Sequence, residues 1–297
     1  YFIDFADAPA RVAVPADLIH RWGRRMGDRN MTDFGAWAEA RKGVQGDVDD
    51  GSIARLLPAL ANLGELKAAS GRAPLVRDVW LDGIQVMAAR TKDGSAEGFY
   101  LAAKGGHNDE SHNHNDVGNF IVYCDGKPVL VDAGVGTYTA KTFSDSRYDI
   151  WTMQSAYHNL PTINGVMQRD GREFAARAVS YGQSGGAARL SLDIAGAYPP
   201  EAGVKSWKRS LSLNRGKDVR LSDSFVLEKR QGELYLSLLT PCKVETVKPG
   251  ELRLTGPRPQ GTPLAVCLLY DSSRLTAAIE KITIDDRRLM ASWQGNL

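Results

Sequence analysis

The residues with chemical potential crowd into one stretch. The chain has 297 residues and five histidines, four of which (His107, His112, His114 and His158) lie between positions 107 and 158. The densest run is Ser111-His-Asn-His-Asn-Asp116, and the same window holds Asp109, Asp132, Tyr138, Arg147 and Tyr148. Imidazoles and carboxylates are the side chains that bind divalent metals and move protons near neutral pH. In an extended segment residues i and i+2 face one side, so His112 and His114 are expected to project together. Two imidazoles and a carboxylate from elsewhere make the three protein ligands of a zinc site, and Asp132 and His158 are the candidates to complete it. The pattern points to a metal site beside a proton-transfer site.

Other assignments of these residues stay open. Asp132 ends a hairpin expected over Phe120–Asp132 around Asp125-Gly126. A strict two-residue turn pairs Asp132 with Asn119 and faces it away from His114. A three-residue loop through Lys127 pairs it with Phe120, and a bulge at Gly118 also resets the register. His112-x-His114-x-Asp116 matches the start of the metallo-β-lactamase signature His-x-His-x-Asp-His, but Val117 stands where that motif needs histidine. The His-x-His of amidohydrolases belongs to a barrel of alternating strands and helices, a pattern absent here. Asp116 suits a turn brace as well as a ligand, and His107 suits a structural role. Asn113, Asn115, Asn159 and Asn164 suit turns and bonds to the backbone. Trp151 reads as core, and Trp207 and Arg209 as strand residues.

The elements that must position these groups change character along the chain. Residues 1–72 read as helical. Pro15 suits a helix start, Thr32 or Asp33 a cap for a helix through Lys42, and Ser52 a cap for a stripe of Ile53, Leu56, Leu57, Leu60, Leu63 and Leu66. Gly46–Gly51 reads as a link, and Pro58 as a kink or early stop. From 73 to 297 the pattern is period two, with hairpin signals at Asp82-Gly83 and Asp125-Gly126. Tyr138–Asn164 reads as a long ordered loop of the kind that carries function. Strands are expected over Phe174–Ser180, Ala187–Ile194, Lys208–Asn214, Val219–Leu227 and Gly232–Leu239. Others are expected over Cys242–Thr246, Glu251–Thr255, Ala265–Leu269, Leu275–Ile284 and Leu289–Trp293. The cadence predicts a mainly β fold class, a large antiparallel multi-sheet β-sandwich or another large two-sheet β architecture, after a short helical segment.

Composition narrows the partners. Formal net charge is +2, from 37 basic and 35 acidic residues, with no polybasic run, which argues against nucleic acid. No apolar run reaches the roughly 18 residues of a spanning helix, so no membrane insertion is expected. No signal peptide is visible, and the start at Tyr1-Phe2-Ile3 reads as a fragment or a processed form. Cys124, Cys242 and Cys267 are odd in number and widely spaced, and are expected to be small buried apolar residues.

Three blocks together carry a family resemblance. They are Gly105-Gly-His-Asn-Asp-Glu-Ser-His-Asn-His-Asn-Asp-Val-Gly-Asn-Phe120, Val131-Asp-Ala-Gly-Val-Gly-Thr-Tyr138 and Ser155-Ala-Tyr-His-Asn-Leu-Pro-Thr-Ile-Asn-Gly165. Ala197–Val204 and Trp207-Lys-Arg209 extend the match to most of residues 75–297. The sequence resembles the heparinase II/III-like polysaccharide lyases. The resemblance implies that 1–72 is the tail of an (α/α) toroid and 73–297 a β-sandwich domain. It places zinc ligands on His114, Asp132 and His158, with the metal mainly structural. It implies catalytic roles for His112 and Tyr138, and Arg147 is a candidate to pair with a substrate carboxylate. The implied reaction is β-elimination in a uronate-containing glycan, the implied partner an acidic poly- or oligosaccharide such as a glycosaminoglycan or alginate, and the implied setting bacterial periplasm or secretion. A homodimer is allowed. The alternatives are a zinc-stabilised carbohydrate-binding or structural domain without catalysis, and a metal-dependent hydrolase. The family's other catalytic residues come from the toroid, so this stretch alone is expected to be inactive.

Overall fold

The computed structural model describes residues 2–11, 14–42, 52–256 and 263–293. The chain divides into two compact units, a helical one of residues 11–76 with 93–95 and a β unit holding the remainder. In the helical unit α1 (Ala16–Met26) follows Pro15, α2 spans Arg29–Lys42, and α3 spans Ile53–Ala68. Asp28 begins α2 earlier than the expected cap, because its Oδ1 accepts the Met31 amide at 3.1 Å. α3 continues through Pro58, so the proline does not shorten it. Ala16, Ala36, Ala38 and Leu66 form a small core. The link expected over Gly46–Gly51 lies outside the described residues. No described helix is long and apolar enough to cross a membrane.

The β unit begins with β1 (Asp78–Leu81), β2 (Val86–Arg90), β3 (Phe99–Lys104), β4 (His107–Asn108), β5 (Phe120–Cys124) and β6 (Lys127–Leu130). It continues with β7 (Pro161–Ile163), β8 (Gly171–Ala175), β9 (Arg177–Gln183), β10 (Ala187–Asp193) and β11 (Val204–Asn214). β12 (Asp218–Leu227), β13 (Leu234–Leu236), β14 (Lys243–Lys248), β15 (Glu251–Gly256) and β16 (Leu264–Leu269) follow. Every pairing is antiparallel: five-stranded β1-β2-β3-β5-β6, four-stranded β12-β11-β10-β9, three-stranded β14-β15-β16, and the pairs β13-β7 and β4-β8.

Alternation along the five-stranded sheet decides what covers it. Met87, Ala89, Leu101, Ala103, Phe120 and Val122 face the main core, where Leu190, Leu192 and Leu211 of the four-stranded sheet meet them. The intervening Ala102, Ile121 and Tyr123 are also buried, in a second cluster with Ala10, Leu289 and Trp293. Residues 2–10 therefore form an irregular strap over the second face rather than the helix expected there. Tyr123 donates its hydroxyl to the Phe2 carbonyl at 3.2 Å, and Phe2 N donates to Ala10 O at 2.9 Å.

The far end of the chain covers the same face. Arg287–Trp293 is a helix, α4, where a strand was expected. Asp286 Oδ1 accepts the Arg288 and Leu289 amides at 2.9 and 3.1 Å, which starts the helix, and Leu289 and Trp293 have the four-residue spacing of one helix face. Leu275–Ile284 gives no extended strand either: Leu275 and Ile279 are exposed and only Ile284 is buried, so no alternating face exists. The expected strand Phe174–Ser180 breaks at Ala176 into β8 and β9, which join different sheets. The Asp82-Gly83 turn is wider than two residues, since Leu81 pairs with Val86. Of the three cysteines only Cys242 is buried; Cys267 is exposed because β16 is an edge strand whose alternate residues face out.

Arg209 of β11 is almost fully buried and ties the layers together. It donates to both Asp223 oxygens at 3.0 and 2.7 Å, to Gly118 O at 3.0 Å and to Asn159 O at 2.8 Å. Its removal orphans a half-enclosed carboxylate and two carbonyls. Arg209→Met is expected to destabilise the β unit by about 3–5 kcal/mol, read as a shift of the urea midpoint.

Candidate functional site

The site is built on backbone that leaves the five-stranded sheet: the loop from β4 to β5, the segment after β6, and the chain before β7. The Tyr138–Asn164 stretch is ordered, as a run of 3-10 turns at Ala140–Phe143, Arg147–Asp149, Trp151–Met153 and Ser155–Tyr157. His112 sits in the left-handed region at φ 60°, which histidine tolerates better than most side chains do. That backbone turn separates the two neighbours expected on one face. The His112 side chain is 57% exposed, and that of His114 is fully buried.

His114, Asp132 and His158 come together. One ligand atom from each lies within 4.8 Å of the others, and all three residues are buried. The bulge in the β5–β6 hairpin explains how. The turn is two-residue, Cys124 pairing with Lys127, but the register slips so that Val122 pairs with Leu130. Continued outward, that register sets Asp132 opposite Phe120, as the three-residue loop required. Asp132 Oδ1 accepts the Gly134 amide at 2.8 Å. Its Oδ2 accepts Asn119 Nδ2 at 2.7 Å and lies 3.1 Å from His158 Nδ1. Burial opposes the Asp132 charge, but His158 and then His114 draw its carboxyl below the usual range. Burial likewise opposes a charged His158, and Asp132 outweighs it and raises the imidazole.

The cluster fits a metal. Among the described residues His114 Nδ1 and His158 Nε2 have no hydrogen-bond partner though buried, and such atoms are rare unless something else engages them. A two-nitrogen, one-carboxylate donor set is of the kind zinc takes. Asp4, on the strap, is a further buried carboxylate with neither oxygen bonded; burial, then the Asp132 charge, raises its pKa well above the ordinary value.

A second polar group lies beside the cluster and turns on Asp7, which sequence reasoning missed. Asp7 Oδ2 accepts the Tyr138 hydroxyl at 2.8 Å and lies 2.9 Å from His112 Nδ1. Its Oδ1 accepts Arg147 at 2.8 Å and lies 3.0 Å from His114 Nε2. Burial works against its charge, but the bonds from His114, Tyr138 and His112 hold the carboxyl well below the usual range. Tyr138 is pushed the other way, first by burial and then by Asp7. Its ring packs edge-on to exposed Phe143, with centroids 5.4 Å apart, and beneath the Arg288 guanidinium at 4.9 Å.

Arg147 is held from within the loop, on Asp7 and backbone carbonyls. Its guanidinium is held by Asp7, by the Asn113 carbonyl at 3.1 and 3.0 Å, and by the Thr142 carbonyl at 3.1 Å. Asp116 braces the loop, its Oδ1 taking the buried Lys104 ammonium at 2.6 Å. Burial alone would lower Lys104, and Asp116, then Glu110, raise it instead. His107 caps a turn, its Nδ1 accepting the Asp109 amide at 3.1 Å. Tyr148 accepts from Asn113 at 3.1 Å. Asp4 and Asp7 had one sequence signal: Ile3-Asp-Phe-Ala-Asp7 is neither a helix stripe nor an open loop pattern.

Residues 82–256 match the model of the family described as heparinase II/III-like, C-terminal. The chain belongs to that family. Among solved structures it is similar to heparan sulfate lyase HepC from Pedobacter heparinus, with TM-score 0.55 and 16% identity over 85% of this chain and 34% of that one. It is also similar to heparinase III, with TM-score 0.58 and 15% identity over 85% of this chain and 35% of that one. At this identity the likeness speaks for the fold, and the chain spans about a third of the length of those lyases. No curated protein matches the chain. The antiparallel β architecture expected from the strand cadence is thus of the heparinase type that the three sequence blocks implied.

Asn119 is the cross-brace of the cluster, since it also accepts the Asn159 amide at 3.0 Å. Asn119→Ala leaves that buried N–H and one Asp132 lone pair unmatched. It is expected to cost about 1–3 kcal/mol in urea unfolding of the metal-free protein.

Proposed function

We propose that this chain is the β-sandwich portion of a polysaccharide lyase that cleaves uronate-containing glycans by β-elimination, with a structural zinc held by His114, Asp132 and His158. The observation that carries the reading is the pairing of an exposed imidazole, His112, and a protonated tyrosine, Tyr138, on the Asp7 carboxylate. Elimination removes the proton alpha to the uronate carboxyl group, breaks the bond to the 4-linked oxygen, forms a carbon–carbon double bond and returns a proton to the leaving oxygen. One base and one acid suffice. Among the described residues no hydrogen bond engages His112 Nε2, so that nitrogen can accept the alpha proton. Tyr138, 37% exposed and with its pKa raised, keeps its proton to give. Arg288, half-buried over the Tyr138 ring, is better placed than Arg147 to face a carboxylate.

Burial of all three metal-site residues supports a structural ion over a hydrolytic one, since a catalytic zinc needs an open position for water. When bound, zinc supplies positive charge that fixes three irregular segments. The remaining catalytic groups, an exported location and the identity of the glycan follow from likeness to lyases of which this chain covers about a third. The same fraction supports a second reading of this stretch taken alone, a zinc-stabilised glycan-binding domain without turnover.

Two measurements test the reading. Full-length protein incubated with heparan sulfate, alginate and glucuronan is expected to raise the ultraviolet absorbance of unsaturated uronate on at least one polymer, and His112→Ala to lower that rate at least about 100-fold. No rise on any polymer removes the lyase assignment. Separately, elemental analysis is expected to find one zinc per chain. His158→Ala or Asp132→Asn is expected to lose it, with a lower melting temperature that added zinc no longer restores. A wild-type protein that purifies and dialyses free of divalent metal removes the zinc assignment.

A further inference from the structure

Four polar contacts converge on the Asp7 carboxylate, and its side chain is only 5% exposed. An ionised carboxylate accepts hydrogen bonds and donates none, with about four lone-pair directions. Here the partners are Arg147 and His114 at Oδ1 and Tyr138 and His112 at Oδ2. Each imidazole nitrogen that faces it therefore carries a hydrogen. For His114 that nitrogen is Nε2, which leaves the lone pair on Nδ1, the buried and unpartnered atom. For His112 it is Nδ1, which leaves the lone pair on Nε2, directed away from the carboxylate. The two rings are thus set in opposite tautomers by one acceptor. A carboxylate behind a ligating histidine fixes ring orientation and strengthens its donor nitrogen, and here the same carboxylate also holds a histidine outside the metal cluster.

We infer that Asp7 is a positioning residue that couples the metal site to His112: it selects the metal-binding tautomer of His114 and the proton-accepting tautomer of His112 together. A cation on His114 Nδ1 makes the Nε2 hydrogen a stronger donor to Oδ1, and the shared carboxylate carries that change to the His112 bond at Oδ2. The inference about His112 rests on its proposed role as the base, whereas the tautomers and their coupling are measured without any glycan.

The test is nitrogen-15 NMR of the histidine rings, at a pH where both are neutral, in this chain and in Asp7→Asn, with and without zinc. Five histidines make assignment by single substitution tractable. Wild type is expected to show His112 with hydrogen on Nδ1 and His114 with hydrogen on Nε2, and zinc is expected to shift the His112 ring signals. Asp7→Asn, which has only one accepting atom left, is expected to mix the His112 tautomers. It should weaken zinc about 10–100-fold and abolish the zinc response at His112, with Asp7→Glu recovering part of each. If His112 in wild type carries its hydrogen on Nε2, or ignores zinc, the inference is overturned, and neither result depends on a variant that folds. A protein that shows both tautomers and the zinc response but turns over no uronate polymer keeps this inference and loses the lyase assignment.

Discussion

Buried backbone that leaves a sheet must find hydrogen bonds without a partner strand, and that constraint shapes the whole site. The loop before β5, the segment after β6 and the run before β7 meet this need through side-chain amides and the guanidiniums of Arg147 and Arg209. Asn159 donates to Phe120 O and Val131 O at 2.6 and 3.0 Å and accepts Leu239 N at 2.7 Å. Gln168 donates to Val117 O at 2.8 Å and accepts Val117 N at 3.1 Å, so it stands in for a missing strand. Asn108 accepts the Asp116 amide at 3.2 Å. Gly118, at φ +85°, turns the chain where a Cβ would meet Ile194 at 2.7 Å. With these bonds made, three irregular segments are rigid enough to bring ligand atoms within the reach of one ion.

The second constraint is a sheet buried on both faces. Its main-core face needs the rest of the sandwich, and its other face needs the strap and α4. Those covers lie outside the stretch that matches the family model, 82–256, yet they carry Asp4, Asp7, Asp286 and Arg288. Asp286 also holds the loop after Asp132, accepting the Thr137 amide at 2.9 Å. Packing and chemistry are thus inseparable here, because the residues that seal the hydrophobic face also supply the polar groups at its rim.

Much of this was legible in the sequence. The antiparallel cadence gave most strands, and residue type with family likeness brought His114, Asp132 and His158 into one cluster. What stayed hidden depended on long-range partners. Asp132 reaches its place through a slip at Val122 and Tyr123 that no local pattern announces. Asp7 is about a hundred residues or more from every group it touches, so spacing could not mark it. The carbonyls and the one carboxylate that surround Arg147 lie far from it in sequence or within an irregular loop, so no spacing marked them. Leu289–Trp293 looked like one more strand because five residues are too few to separate the two periods, and Asp286 resolves the choice.

The crossing of the two chain ends has a consequence for assembly. Arg288 donates to the Asp7 carbonyl across 281 residues at 3.4 Å, and Trp293 donates to Ala133 O at 2.9 Å. Contacts of such separation are reached late, because the loops they close are long. On the ribosome the strap of residues 2–10 and the sandwich strands can form while the far helix is still unmade, and the part of the outer face under Leu289 and Trp293 is covered only after residue 293 emerges. The contacts that join Arg288 to the strap at the rim of the site are therefore of the kind that form late.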